Sequence, residues 1–374
     1  MKFKENDIRN KLNLVVEKLL SLGRLENEDE LSKTGGEEIG MFPRDFGIQE
    51  WDWPQGVGLY GLLKLDNHDK TSIHTDFLTN WFATNIKNGL PSHNINTTAP
   101  LLTLTYLCDK IDNPEFNALC LSWANWLMDC LPRTKEGGFQ HVTSANGDRL
   151  GVRLNESELW IDTLFMTVLF LNKMGHKHNH QDWISEGIHQ MLLHIKYLYD
   201  KKTGLFFHGW SFNKNNNFGE IFWCRGNSWF TFGILEYIEA FHGMMDTGLK
   251  CFLVDTYKSQ VKALVKYQSK SGLWHTVIDD ATSYEEVSGS AAITTGILGG
   301  IRLGILDDSY KVSAEKAVLA ICKNIAKDGT VLNVSGGTGL GDNKDHYKNI
   351  IIAPMAYGQS LTIMALVEAL NHID

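Results

Sequence analysis

Asp162 stands inside the apolar stretch ELWIDTLFMTVLFL, which runs from Glu158 to Leu171. An ionised carboxylate among such neighbours is costly unless it is paired, hydrogen-bonded or neutralised. Two readings are open. Asp162 could cap a helix by accepting from the free amides of the TLFM turn, a role that favours the anion. It could equally be an acid whose apolar Trp and Phe surround favours the neutral form, which suits proton transfer.

Other polar side chains lie in comparable settings. In FWCRGNSW, Arg225 falls between Trp223 and Trp229. A guanidinium offers a planar fork to a carboxylate, and Trp229, four residues on, would share a helix face with it. The alternative is an arginine paired with a structural acid such as Glu220. His208 and Trp210 follow a glycine turn in FHGW, and LWHTVID repeats the Trp–His pairing at Trp274 and His275. A lone histidine can equally be a satisfied structural donor. Trp53, beside Trp51 and Gln55, opens an apolar helical run, and Asn94 and Asn96 sit in HNINTTAP. His346 is a further candidate partner for a carboxylate, with His208 and His275. A cavity lined by Trp, His and Arg and holding one buried Asp suits an anionic sugar.

Those residues need a scaffold that brings them to one place. The chain has 374 residues, 43% of them hydrophobic, enough for one large core, and no stretch of it reads as a linker. A single domain over 1–374 is expected, with 1–45 a helical lead-in. The dominant pattern is helical: NDIRNKLNLVVEKLLSLG and SAEKAVLAICKNIAKDG carry apolar residues three and four apart and stop at Gly. Strand-like segments are scarce, and GLFFHGW and GLWHTVID read as loops or small hairpins. A polar or small residue followed by a smooth apolar helix recurs near Gln55, Thr98, Asp162, Arg225, Ser288 and Tyr357, roughly 43 to 69 residues apart. Each interval has room for one more, polar-faced helix. Six helical hairpins make an all-α (α/α)6 toroid, with smooth helices inside, amphipathic ones outside and the inner-helix entrances around one cavity.

Charge and composition exclude other classes. A net charge of −9 argues against nucleic acid as a partner. No apolar run approaches the ~18 residues of a membrane span. The six cysteines show no CxxC or metal-ligand spacing and fit reduced thiols in a cytoplasmic protein. GHKHNHQD (His176, His178, His180) falls in an interhelical connection without a carboxylate set, and SGGTGLGD lacks both a preceding strand and a following GK[ST]. No metal or cofactor is expected. The sequence carries no signal for oligomeric state.

Taken in order, ELWIDTLFM, FHGW, FWCRGNSW, YEEVSGSAA and GTGLGD…YKN resemble the unsaturated rhamnogalacturonyl and related uronyl hydrolases of glycoside hydrolase family 105, close to family 88. The resemblance covers the chain from about Trp51 onward. It implies the (α/α)6 fold, no metal, and removal of a Δ4,5-unsaturated uronic acid from the non-reducing end of lyase-generated acidic oligosaccharides. It matches Asp162 to the family's acid/base, His208 to a histidine beside the substrate, and Arg225 with Trp229 to the motif around the sugar and its carboxylate. Two departures stand out. Asn94 and Asn96 occupy the region where some relatives have a second aspartate, and Ser228 stands where many have Gly. Three alternatives keep the same scaffold. An epimerase would need a second base. An inverting glycosidase would need a second carboxylate, for which Glu156, Glu158, Glu285 and Glu286 are available. A sugar-binding protein would need no buried Asp162.

Overall fold

The structure, a computed structural model, describes residues 3–24, 43–145, 148–241 and 243–373. Among these, six helices form an inner ring: Trp53–Asp69, Ile95–Leu107, a π-helical turn Leu164–Val168 running into Leu169–Lys177, Cys224–Ala240, Val287–Arg302 and Ala356–Leu370. Each packs against its two ring neighbours, and the last packs against the first, so the ring closes. Six outer helices alternate with them along the chain: Glu5–Ser21, Thr75–Lys87, Pro114–Asp129, Gln181–Leu198, Thr247–Tyr267 and Lys311–Lys323. This is the (α/α)6 toroid. The expected lead-in is revised in part: Glu5–Ser21 is an outer-ring helix that buries Ile8, Leu12, Val15 and Leu19 and packs on Ala356–Leu370. The stretch 25–42 of that lead-in lies outside the described residues.

Burial explains which helix went where. Every residue of Ala356–Leu370 is buried, as is every residue from Val287 to Ile301. A helix apolar all round must be enclosed on every side, whereas a one-sided apolar stripe leaves a solvent face. Small residues set the inner spacing. A Cβ added at Gly296 would lie 2.7–2.9 Å from Thr231 on the neighbouring inner helix, so only glycine permits that approach.

The connections into the inner helices carry a second repeat. Gly137, Gly204, Gly272 and Gly329 all have positive φ (82°, 85°, 110° and 83°), which favours glycine. Two residues on stand Phe139, Phe206, Trp274 and Val331, all buried. Each of their backbone N–H groups donates to a buried side chain: Gln190, Asn227, Ser290 and Gln359 respectively. Four residues after each glycine come His141, His208, Thr276 and Asn333. Short antiparallel pairs finish these connections: β1 (Val142–Ala145) with β2 (Asp148–Leu154), β3 (Glu158–Trp160) with β4 (Gly209–Ser211), and β5 (Trp274–His275) with β6 (Glu285–Glu286).

Candidate active site

The inner-helix N-termini meet at one end of the toroid. Trp53 stacks on Tyr357 at 4.6 Å, Arg225 lies over both rings and bonds Ser288, Trp229 reaches Asp162, and Ser144 bridges Asp52 to Asn94. The positive ends of the helix dipoles therefore face this mouth, which favours an anionic ligand.

At its centre the Asp162 carboxylate does not cap its helix. Oδ2 lies 3.2 Å from His208 Nε2, and Oδ1 accepts from Trp229 Nε1 at 3.1 Å. The side chain keeps 15% exposure, enough to meet a solute. Capping elsewhere at the mouth is handled by Asp52, Asn94 and Glu286, each accepting from first-turn amides. The backbone after Asp162 is π-helical, an irregularity that often accompanies functional sites. Burial raises the Asp162 carboxyl. The hydrogen bond from His208, then the electrostatic pull of the His208 and His141 imidazoles, outweighs it and holds the group below the ordinary carboxylate value.

Two groups behind this carboxylate were not legible as site residues. His141 stacks on Trp160 at 4.1 Å and contacts Thr163 Oγ1 at 3.2 Å; burial pushes it down to about 3, so it is neutral. Tyr347 is buried with its hydroxyl 2.7 Å from His208 Nδ1, and it accepts from the Gly341 amide at 3.2 Å. The Gly-x-Phe-x-His spacing shared by GGFQH and GLFFH was the available signal for His141. Tyr347 sits within the quoted YKN but carries no pattern of its own.

The structure corrects several expectations. Arg225 does not present its fork to the cavity: it is fully buried. Nη1 donates to Ser288 Oγ, Ser335 O and Ser335 Oγ, and Nη2 to Gly336 O and Thr338 Oγ1. Its aromatic partners are Trp223 and Tyr357, 4.7 and 4.8 Å from the guanidinium carbon. Its buried acid is Glu286 at 3.7 Å, not Glu220. Trp274 is also out of reach. Its register in the glycine repeat is that of Phe206, not Trp210, so it points into the core with Nε1 bonded to Leu264 O. Glu286 is no candidate second carboxylate, since four donors from Ser288, Gly289 and Ser335 surround it.

The remaining candidates scatter. Trp223 is buried under His208, ring centroids 4.3 Å apart. Trp210 packs on Tyr197. His275 is tied to Ser283 O and His346 to Gly339 O. Asn96 and Trp53 are partly exposed at the mouth. A cavity of about 630 Å³ opens at the opposite end, lined by Lys64, Lys173, Arg302, Glu236, Glu239 and Glu368 among others. Its named charges are paired, Lys64 with Glu236, Arg302 with Glu239 and Glu368, and Lys173 with Asp109 beyond the lining, unlike the carboxylate of Asp162. No cluster of three metal-ligating side chains occurs among the described residues. Nor is any of their helices long and apolar enough to cross a membrane.

Comparison with known proteins places the chain in a family. Residues 39–373 match the family model described as Glycosyl Hydrolase Family 88. The chain is 30% identical to the unsaturated rhamnogalacturonyl hydrolase YesR of Bacillus subtilis over 332 residues, 88% of this chain and 92% of that one. A crystal structure of a possible GH105 member from Salmonella enterica superposes with a TM-score of 0.90 at 35% identity, covering 100% of this chain and 96% of that one. Another from Klebsiella pneumoniae gives 0.88 at 33%, covering 100% and 95%.

Proposed function

Since the chain belongs to glycosyl hydrolase family 88 and is a glycoside hydrolase, we propose that it removes a Δ4,5-unsaturated uronic acid from the non-reducing end of acidic oligosaccharides, with Asp162 as both acid and base. The named activity of the Bacillus subtilis relative supports rhamnogalacturonan-type fragments as the source. All six cysteines are free thiols, which supports work in a reducing, cytoplasmic setting.

The observation that carries the reading is a carboxylate at the inner-helix mouth that is not committed to capping and is held instead by His208 and Trp229. An unsaturated uronate is an enol ether. Protonated Asp162 delivers its proton to C4, and positive charge develops at C5 beside the ring oxygen. The carboxylate left behind then takes a proton from water as the water oxygen bonds to C5. The hemiketal opens and the aglycone leaves. One group serves both steps, so the paired carboxylates of ordinary glycosidases are not required. Arrival of the substrate's own carboxylate and expulsion of water both raise the Asp162 pKa, which supplies the neutral acid. Trp229 Nε1 and His208 Nε2 then steady the anion once the proton has gone.

The test is Asp162→Asn assayed by loss of the C4=C5 absorbance on lyase-generated oligosaccharides. Turnover should fall by ~10²–10⁴-fold with the melting curve unchanged. Near-normal turnover in a folded variant would refute the assignment. An epimerase would leave the chromophore intact.

A further inference from the structure

The hydrogen bonds behind Asp162 form a directed chain. Gly341 N–H donates to the Tyr347 hydroxyl, the hydroxyl lies 2.7 Å from His208 Nδ1, and His208 Nε2 lies 3.2 Å from Asp162 Oδ2. A phenol oxygen that already accepts from an amide is free to donate its own proton. Burial raises the Tyr347 pKa, against a lowering by the Gly341 amide, and the charges of Asp162 and Asp342 raise it further, so that proton stays on. With Tyr347 donating to Nδ1, the imidazole must carry its hydrogen on Nε2, facing Asp162. Neither ring nitrogen is then left unsatisfied, and no positive charge is needed.

We propose that Tyr347 is a positioning residue that fixes His208 as the neutral Nε2–H tautomer and so sets the protonation of Asp162. This rests on Asp162 being the acid. The chain begins in the loop from Ser335 to Asp342, whose base is clamped by four hydrogen bonds of Arg225, to Ser335 O and Oγ, Gly336 O and Thr338 Oγ1. Leu340 of the same loop abuts Gly209 of β4, the residue after His208: a Cβ there would lie 2.0 Å from Leu340 Cδ1. Loop placement and imidazole orientation are therefore mechanically linked. The other titratable groups around the chain are His141, which is neutral, Asp342, His346, whose ring lies edge-on to Tyr347 at 5.1 Å, and Tyr284, whose hydroxyl donates to Tyr347 O. His208 also meets the edges or faces of Trp160 and Trp223, which carry no charge.

The consequence falls on the imidazole. A donor at Nδ1 excludes the Nδ1–H tautomer. Without it, nothing selects Nε2–H over Nδ1–H, and the hydrogen facing Asp162 is no longer fixed. The Nε2–H form should therefore lose its dominance in Tyr347→Phe, and turnover should fall with it.

The experiment has two arms. In 15N-histidine-labelled wild-type enzyme, the ring nitrogens of His208, assigned by its absence in His208→Gln, should show a neutral Nε2–H form at pH 7. In Tyr347→Phe, which keeps the packed ring, kcat should fall about tenfold with KM within twofold, and the Nε2–H form should no longer dominate the His208 signals. An imidazolium or Nδ1–H signal in the wild type, or an unchanged Nε2–H signal in the variant, overturns the proposal. The resonance arm does not depend on catalysis, so a failure of Asp162→Asn to lose activity would be told apart from a failure here.

Discussion

Replacing Arg225 by lysine separates a substrate-binding arginine from a structural one. The guanidinium makes five hydrogen bonds in full burial, three from Nη1 and two from Nη2. An ammonium has three protons on one atom and cannot reach both sets. Keeping the Nη1 partners forfeits Gly336 O and Thr338 Oγ1. At about 1.5 kcal/mol for each bond to a charged donor, the loss is about 3 kcal/mol. An unfolding entropy of about 2.1 cal/mol/K per residue gives about 0.8 kcal/mol/K for this chain, so Tm should drop by about 4 °C. The assay pairs calorimetry with kinetics on an unsaturated uronate and on its methyl ester, which lacks the charge. Both substrates should lose kcat in proportion, because the loop that Arg225 holds leads to Tyr347 and His208. A Tm within about 1 °C of wild type, with KM raised for the acid alone, would show that Arg225 binds the substrate carboxylate after all.

Two further outcomes follow from the same contacts. Trp229→Phe keeps the stack on Phe165, now 5.3 Å between centroids, but removes the donor to Asp162 Oδ1. The anion loses stabilisation, so the Asp162 pKa rises and the alkaline limb of kcat, which reports the acid in the substrate complex, moves up by about one pH unit; an unmoved limb would show that this bond is not part of the acid's control. At the far end, Arg302 holds Glu239 below the ordinary glutamate range, chiefly through their hydrogen bonds. A depressed folded pKa contributes stability above the unfolded value of about 4.3 that is lost as pH falls through the folded one. Arg302→Met should lower Tm by about 2–3 °C at pH 7, leave kcat unchanged, and converge with wild type towards pH 3; a constant gap in Tm across that range would contradict the linkage.

Local pattern made the ring legible. Smooth helices at a near-regular interval admit few arrangements other than a closed layer inside an amphipathic one, because an all-round apolar surface must be covered all round. The sequence also isolated Asp162, since a carboxylate in an apolar run needs a physical reason. It could not say whether that carboxylate capped its helix, because capping and acid chemistry both demand an acceptor at a helix start. The distances to His208 and Trp229 decided that question. Arg225 shows the opposite failure. Tryptophans on either side of an arginine look like a sugar platform, yet its real partners, Ser335, Gly336 and Thr338, lie about 110 residues away along the chain. Tyr347, 139 residues from His208, was hidden for the same reason. Which helices form, and which are enclosed, follows from the spacing of side chains along one helix, a short-range property. Which donor meets which acceptor follows from ring closure, which joins residues far apart in sequence, and only the folded chain brings those partners within bonding distance.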